Sequence, residues 1–196
     1  MVEIALTIAL CAVLHYVRIW QMPFGGSVSL EMLPLFVLAL RRGVGPALVA
    51  GLLFGVVDYF LEPFVVHWVQ FFLDYPIAFT AVGLAGLWAP LWRRFWDARQ
   101  FHLALGIAMP LAVVTGSLAR YVAHFVSGVV FFATVAGGGP LPNGTSAFGN
   151  ATALKAAVVY SGLYNSFVLV AAVVCLVALV AIMPSLETAV PVKGRA

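Results

Sequence analysis

Three short stretches place chemistry inside otherwise apolar sequence. In VQFFLDYPIAF the carboxylate of Asp74 stands among Phe71, Phe72 and Leu73 on one side and Pro76, Ile77 and Phe79 on the other, with Tyr75 beside it. RYVAHFVSG carries Arg120, His124 and Gly128, and YSGLYN carries Tyr160 and Asn165. Residues four apart are neighbours on a helix, so Arg120, His124 and Gly128 share one stripe. A carboxylate, an imidazole, a guanidinium, an amide and phenols together offer charge and both hydrogen-bonding directions, a set suited to holding a small polar ligand. The plainer reading is an Asp74–Arg120 ion pair that only fastens helices together. Catalysis is not expected: no second acidic residue stands beside Asp74 for acid–base work. His15, His67, His102 and His124 are scattered, with no pair spaced to share a metal or haem. Cys11 and Cys175 sit alone in apolar runs and read as small core residues.

The elements that must position these groups follow from composition. The 196 residues are 64% hydrophobic and 9% charged, with a mean hydropathy of +1.09. Too few polar groups exist to coat a water-soluble globule of this size, so the chain is expected to be a single integral membrane domain spanning residues 1–196. Runs of about 18 or more apolar residues mark helix candidates, and no ~10-residue alternating segments of a transmembrane barrel occur. The fold class is therefore all-α, with six spans at about 2–20, 28–41, 44–61, 64–91, 103–135 and 156–183. The second is short. The fourth and fifth exceed the ~20 residues a span needs, which predicts tilt or extra turns.

Basic residues orient the bundle. Arg41, Arg42, Arg93, Arg94, Arg99, Lys193 and Arg195 all fall on one side when six spans alternate, leaving Arg18 and Lys155 near the other. The basic side, and with it both termini, is expected in the cytoplasm. The opposite side receives WQMPFGGS, LEPF and AGGGPLPNGTSAFGN, and the last of these is either a lid or a plain linker. At 1.5 Å per residue Asp74, His124 and Asn165 each lie nine or ten residues, roughly 14–15 Å, below the outer ends of their spans. They can share one depth, with Tyr75 and Tyr160 close by. Ionisable groups at such depth cost about 3 kcal/mol each on insertion scales and face the bundle interior.

Other signals exclude further classes. The net charge of +3 reflects the basic side and implies no nucleic acid. No Gly-x-x-x-x-Gly-Lys-Ser/Thr loop is present, so ATP hydrolysis by that route would need partners. The first span lacks a basic leader and cleavage site and is expected to remain in the mature protein. Small residues four apart, Ala5 and Ala9 in the first span and Gly51 and Gly55 in the third, permit close helix approach, either within the bundle or to a partner. A proton-coupled carrier using Asp74, Arg120 and His124 is the main alternative, although six spans without evident repeats are few for alternating access.

At these residues the chain resembles a known family. MPFGGSVSLEMLPLFVLALRRG (22–43), FFLDYPIAFTAVGLAGLW (71–88), RYVAHFVSGVVFF (120–132) and VVYSGLYNS (158–166) are similar, in order, to the thiamine-binding S-component of energy-coupling factor (ECF) vitamin transporters. The similarity runs from about residue 20 to 180. It implies six transmembrane helices in a bacterial plasma membrane, no enzymatic activity, no cofactor and no metal. It also implies thiamine capture from outside and docking, through the small-residue face at Ala5 and Ala9, onto a shared transmembrane scaffold with two ATPases. Carried over by position, the site would comprise Asp74, Tyr75, Arg120, His124, Gly128, Phe132, Tyr160 and Asn165. Asp74 would neutralise the thiazolium, while Asn165, Tyr160 and His124 would meet the aminopyrimidine. Phe132 stands where some members carry a stacking Trp, and Phe24-Gly25-Gly26 where some carry a second.

Overall fold

The computed structural model describes residues 1–23, 25–65, 67–131 and 151–190. Six helices form the frame: α1 Val2–His15, α2 Leu33–Arg42, α3 Val44–Leu61, α4 Trp68–Asp97, α5 Phe101–Phe131 and α6 Ala151–Ala189. The last four, of 18, 30, 31 and 39 residues, are long and apolar enough to cross a membrane. With α1 at 14 residues and α2 at 10, the first two expected spans are shorter than read. The reason is a small antiparallel hairpin, β1 Arg18–Gln21 and β2 Ser27–Ser29. It takes the polar residues Arg18, Gln21, Ser27 and Ser29 out of helix and turns through Gly25 and Gly26, whose φ of 87° and 84° suits glycine. Among the described residues the fold is thus helical with one two-stranded exception. Short α2 needs no lipid-spanning length, since eight of its ten residues are buried against other helices.

Glycines set the α3–α4 contact. A Cβ on Gly51 would lie 2.2 Å from the Phe79 carbonyl oxygen, and one on Gly55 2.5 Å from that of Tyr75. From the other side, a Cβ on Gly83 would meet Leu48 N at 2.6 Å. The Gly51/Gly55 face is therefore consumed inside the bundle, where backbones pack at distances only glycine permits. Ala5 and Ala9 differ: both are exposed on α1, whose buried face is Thr7, Cys11 and His15. Outward-facing Leu52, Leu53, Val114, Leu118, Val173 and Val177 give the bundle an apolar coat.

The helix ends segregate by charge. Glu3 of α1 pairs with Arg42 of α2, Arg93 of α4 donates to the Arg41 carbonyl at 2.8 Å, and Arg41 donates to the Leu186 carbonyl of α6 at 3.3 Å. The starts of α1 and the ends of α2, α4 and α6 therefore share one face of the bundle, as the alternation of basic residues requires. At the opposite face Gln21 of β1 donates to Glu62 at 2.8 Å, and Tyr164 of α6 donates to the Gly25 carbonyl at 2.9 Å.

Candidate functional site

Two local irregularities aim polar side chains inward. In α4 the turn Leu73–Ile77 is widened to a π-helix around Pro76. Proline has no N–H to donate, and its ring would clash with the carbonyl four residues back; a wide turn absorbs both. In α6 the helix breaks between Ala151–Tyr164 and Phe167–Ala189, so Asn165 sits at the interruption. Asp74 and Asn165 thus each sit where regular helix gives way.

The groups meet in a cavity of about 790 Å³, open mouth included, whose wall takes residues from α1, β2, α3, α4, α5 and α6. Asp74 accepts from His124 Nδ1 at 3.0 Å and from Ser127 Oγ at 2.9 Å. Arg120 Nε donates to His124 Nε2 at 3.3 Å, which leaves the histidine proton on Nδ1, facing Asp74. Arg120 also lies 4.0 Å over the Phe79 ring. Asn165 Nδ2 donates to the His124 carbonyl at 3.2 Å and to Ser161 Oγ at 3.1 Å, which presents its oxygen as the group a ligand N–H can reach. Gly128 lines the cavity because nothing larger fits: a Cβ there would be 2.2 Å from Ser161 Oγ. Tyr160 stacks on Tyr164 with ring centres 5.5 Å apart. The Tyr75 hydroxyl is used structurally, donating to the Glu62 carbonyl at 2.8 Å and accepting from Phe64 N–H at 2.9 Å, while its buried ring lines the wall.

Seven of the eight expected site residues therefore surround one cavity; Phe132, Phe24 and most of the outer segment 136–155 lie outside the described residues, as do Lys193 and Arg195. The plainer alternative falls and one expectation needs correction. Arg120 does not pair with Asp74; its partner is Glu31 at 2.8 Å, both groups being buried. Nor is Asp74 without acidic company, since Glu31, Asp58 and Glu62 line the same cavity. His15, distant from His124 in sequence, is brought to this wall, with Nδ1 3.1 Å from Glu31 and 2.8 Å from Asp58. Asp58 gave the same signal as Asp74, a lone carboxylate in an apolar helix. Glu31 adjoins an apolar run, but nothing in its spacing ties it to Arg120, 89 residues away.

The wall is electronegative. Four carboxylates, Glu31, Asp58, Glu62 and Asp74, line it with one guanidinium, Arg120, and the imidazoles of His15 and His124, and Arg18 reaches Glu62 at 2.8 Å from outside the lining. Low-dielectric walls carrying one sign of charge concentrate counter-charge, so the site suits a cation.

Comparison with known proteins places this geometry. Residues 1–190 match the family described as Thiamine transporter protein (Thia_YuaJ). The chain belongs to the thiamine transporter family. It is 37% identical over 185 residues to the thiamine transporter ThiT of Bacillus subtilis (strain 168), covering 90% of this chain and 88% of the relative. A ThiT from Lacticaseibacillus paracasei (strain ATCC 334) is 36% identical over 124 residues, 61% of this chain and 59% of that one. Among solved structures, ThiT from Listeria monocytogenes superposes with a TM-score of 0.72 at 28% identity, covering 95% of both chains. The resemblance read from the residues is thus to the chain's own family. Membership in the thiamine transporter family, with four membrane-length helices, makes it a multi-pass membrane transporter protein rather than an enzyme.

Proposed function

We propose that this protein is the substrate-capturing membrane subunit of an ECF-type transporter, with six membrane-embedded helices and both termini in the cytoplasm, and that it takes up thiamine from outside. The observation that carries this is a cavity rich in carboxylates with Asp74 at its side, in a chain of the thiamine transporter family. Thiamine brings a fixed positive charge and a flat hydrogen-bonding ring. Asp74 neutralises the thiazolium, and its hydrogen bonds to His124 and Ser127 hold the carboxylate in place as the charge arrives. The Asn165 oxygen and the Tyr160 hydroxyl meet the aminopyrimidine, and the Tyr160–Tyr164 stack supplies a flat face. Arg120, held by Glu31, acts by fixing the His124 tautomer. The ligand enters past the hairpin and the 62–64 segment, which the Gln21–Glu62 and Tyr75–Phe64 contacts close over the cavity.

Energy comes from outside the chain. The exposed Ala5 and Ala9 face of α1 is a close-packing surface for the transmembrane scaffold, which brings two ATPase subunits. Reconstitution tests this directly. Vesicles holding the protein alone are expected to bind but not accumulate thiamine, and accumulation should appear with an ATP-hydrolysing module. ATP-independent accumulation by the lone protein would contradict the reading and favour a proton-coupled carrier.

A further inference from the structure

A second concavity lies away from the thiamine site. From the arginine-rich face a groove of about 1000 Å³, open mouth included, runs between α1 and α6. Short α2, packed against both, makes its floor. Leu6, Leu10 and Leu14 of α1 stand across it from Ile182 and Leu186 of α6, with Val37 of α2 between them. The one hydroxyl in its lining, Thr7 Oγ1, donates to the Glu3 carbonyl at 2.7 Å and so asks nothing of an occupant. Leu6 and Leu10 are exposed, so the apolar wall is left uncovered by the chain itself. Charge is confined to one end, where Glu3, Arg41 and Arg42 close the groove.

The charge at that end is unbalanced. Arg42 pairs with Glu3, while Arg41, which is buried, donates to two carbonyls, those of Leu186 and Val190, and among the described residues has no carboxylate in ion-pair contact. Carbonyls accept its protons but do not neutralise it, and a guanidinium carries five N–H donors in a planar fork that suits phosphate. Length and polarity select the occupant. From Glu3 to Leu14 the groove follows α1 for about three turns, roughly 16 Å. That is close to the ~15 Å of hydrocarbon in one leaflet, whereas a membrane-spanning helix would need about 30 Å. We propose that this groove binds one anionic phospholipid, with an acyl chain along Leu6, Leu10 and Leu14 and the phosphate at Arg41 and Arg42. In the proposed orientation the lipid belongs to the cytoplasmic leaflet, where basic pockets between helices hold anionic headgroups. The site is separate from the face proposed for the scaffold: at roughly 100° per residue, Leu6, Leu10 and Leu14 lie about 120° around α1 from Ala5 and Ala9.

The test uses the full chain, delipidated in a neutral detergent and followed by native mass spectrometry. It is titrated with dipalmitoyl phosphatidylglycerol or with dipalmitoyl phosphatidylcholine, which has the same chains and no net charge. One phosphatidylglycerol per chain is expected to bind saturably, about 5-fold or more tighter than phosphatidylcholine, and inorganic phosphate should not displace it. Arg42→Gln should weaken binding about 5-fold, and Leu10→Trp, which fills the groove, about 10-fold or more. Arg94→Gln, at an exposed position outside the groove, should bind as the parent does. Leu10 is exposed and Arg42 half-buried, so both variants should fold; a cooperative melt checks this, and the parent's two-lipid comparison stands by itself if one does not. Equal binding of the two lipids, displacement by inorganic phosphate, or a loss in Arg94→Gln as large as that in Arg42→Gln would each overturn the proposal. So would folded Leu10→Trp that keeps phosphatidylglycerol as the parent does; with ATP-driven uptake lost as well, the groove would belong to the scaffold. The lipid readout needs no thiamine, so its failure is distinct from failure of the thiamine reading.

Discussion

Replacing Asp74 with Asn separates the charge of the site from its shape. Asp74 accepts one hydrogen bond on each oxygen, from His124 Nδ1 and from Ser127 Oγ. An asparagine can keep its oxygen toward His124 and turn its amide toward Ser127, whose hydroxyl accepts as well as it donates. Both contacts survive as neutral hydrogen bonds, and folding stability is expected to change by about 1 kcal/mol or less. Arg120 is not orphaned, because its partner is Glu31. Binding is another matter. Losing the anionic partner of a cation in a desolvated site costs about 2–5 kcal/mol, or roughly 30-fold to several-thousand-fold in Kd. Calorimetric titration with thiamine and thermal unfolding of the same preparation measure the two effects side by side. A lowered melting temperature with unchanged thiamine affinity would refute the reasoning and make Asp74 a helix fastener.

Other perturbations probe the surrounding frame. Glu31→Gln leaves Arg120 without its buried counter-charge and should destabilise the protein by about 3–5 kcal/mol, read in thermal or denaturant unfolding. Gly128→Ala drives a methyl into Ser161 Oγ, at a cost of about 1–3 kcal/mol and with weakened thiamine binding, and Ser161→Gly in the same chain should recover part of both. Ala5→Trp or Ala9→Trp, on the exposed face of α1, should leave thiamine binding intact while blocking ATP-driven uptake in reconstituted vesicles. With Cys11 and Cys175 replaced by Ala, single cysteines at Ile19 and Arg94 should label from opposite sides of the membrane, Ile19 from outside. Labelling of both from one side would overturn the proposed topology.

How much of this was legible in the sequence depended on whether a signal was local. The third helix was placed at 44–61 and is found at Val44–Leu61, because glycine and the Arg41-Arg42 pair before it and Glu62-Pro63 after it mark both ends. The stripe Arg120, His124 and Gly128 was readable from helical spacing, and its meeting with Asp74 and Asn165 followed from counting depth along antiparallel spans. The hairpin was not readable. A strand of four residues and one of three, running on from an apolar helix, carry too little alternation to be told from its continuation. The partner of Arg120 was missed for a related reason. Glu31 lies just outside α2, on a segment whose position is set by the hairpin, so no spacing rule connects it to α5. His15 and Asp58 face the cavity only because α1 ends early and α3 packs on α4 through Gly51 and Gly55.

The central claim is that the cavity recognises thiamine through its positive ring, and wild-type protein suffices to test it. Calorimetry should compare thiamine with an analogue of the same shape in which the thiazolium is replaced by a neutral thiophene. The account predicts saturable binding of one thiamine per chain, without nucleotide or partner subunits, and affinity for the neutral analogue weaker by at least about 30-fold, the lower bound for a lost charge partner. Equal affinity for the two compounds, or no saturable binding of thiamine, would contradict it.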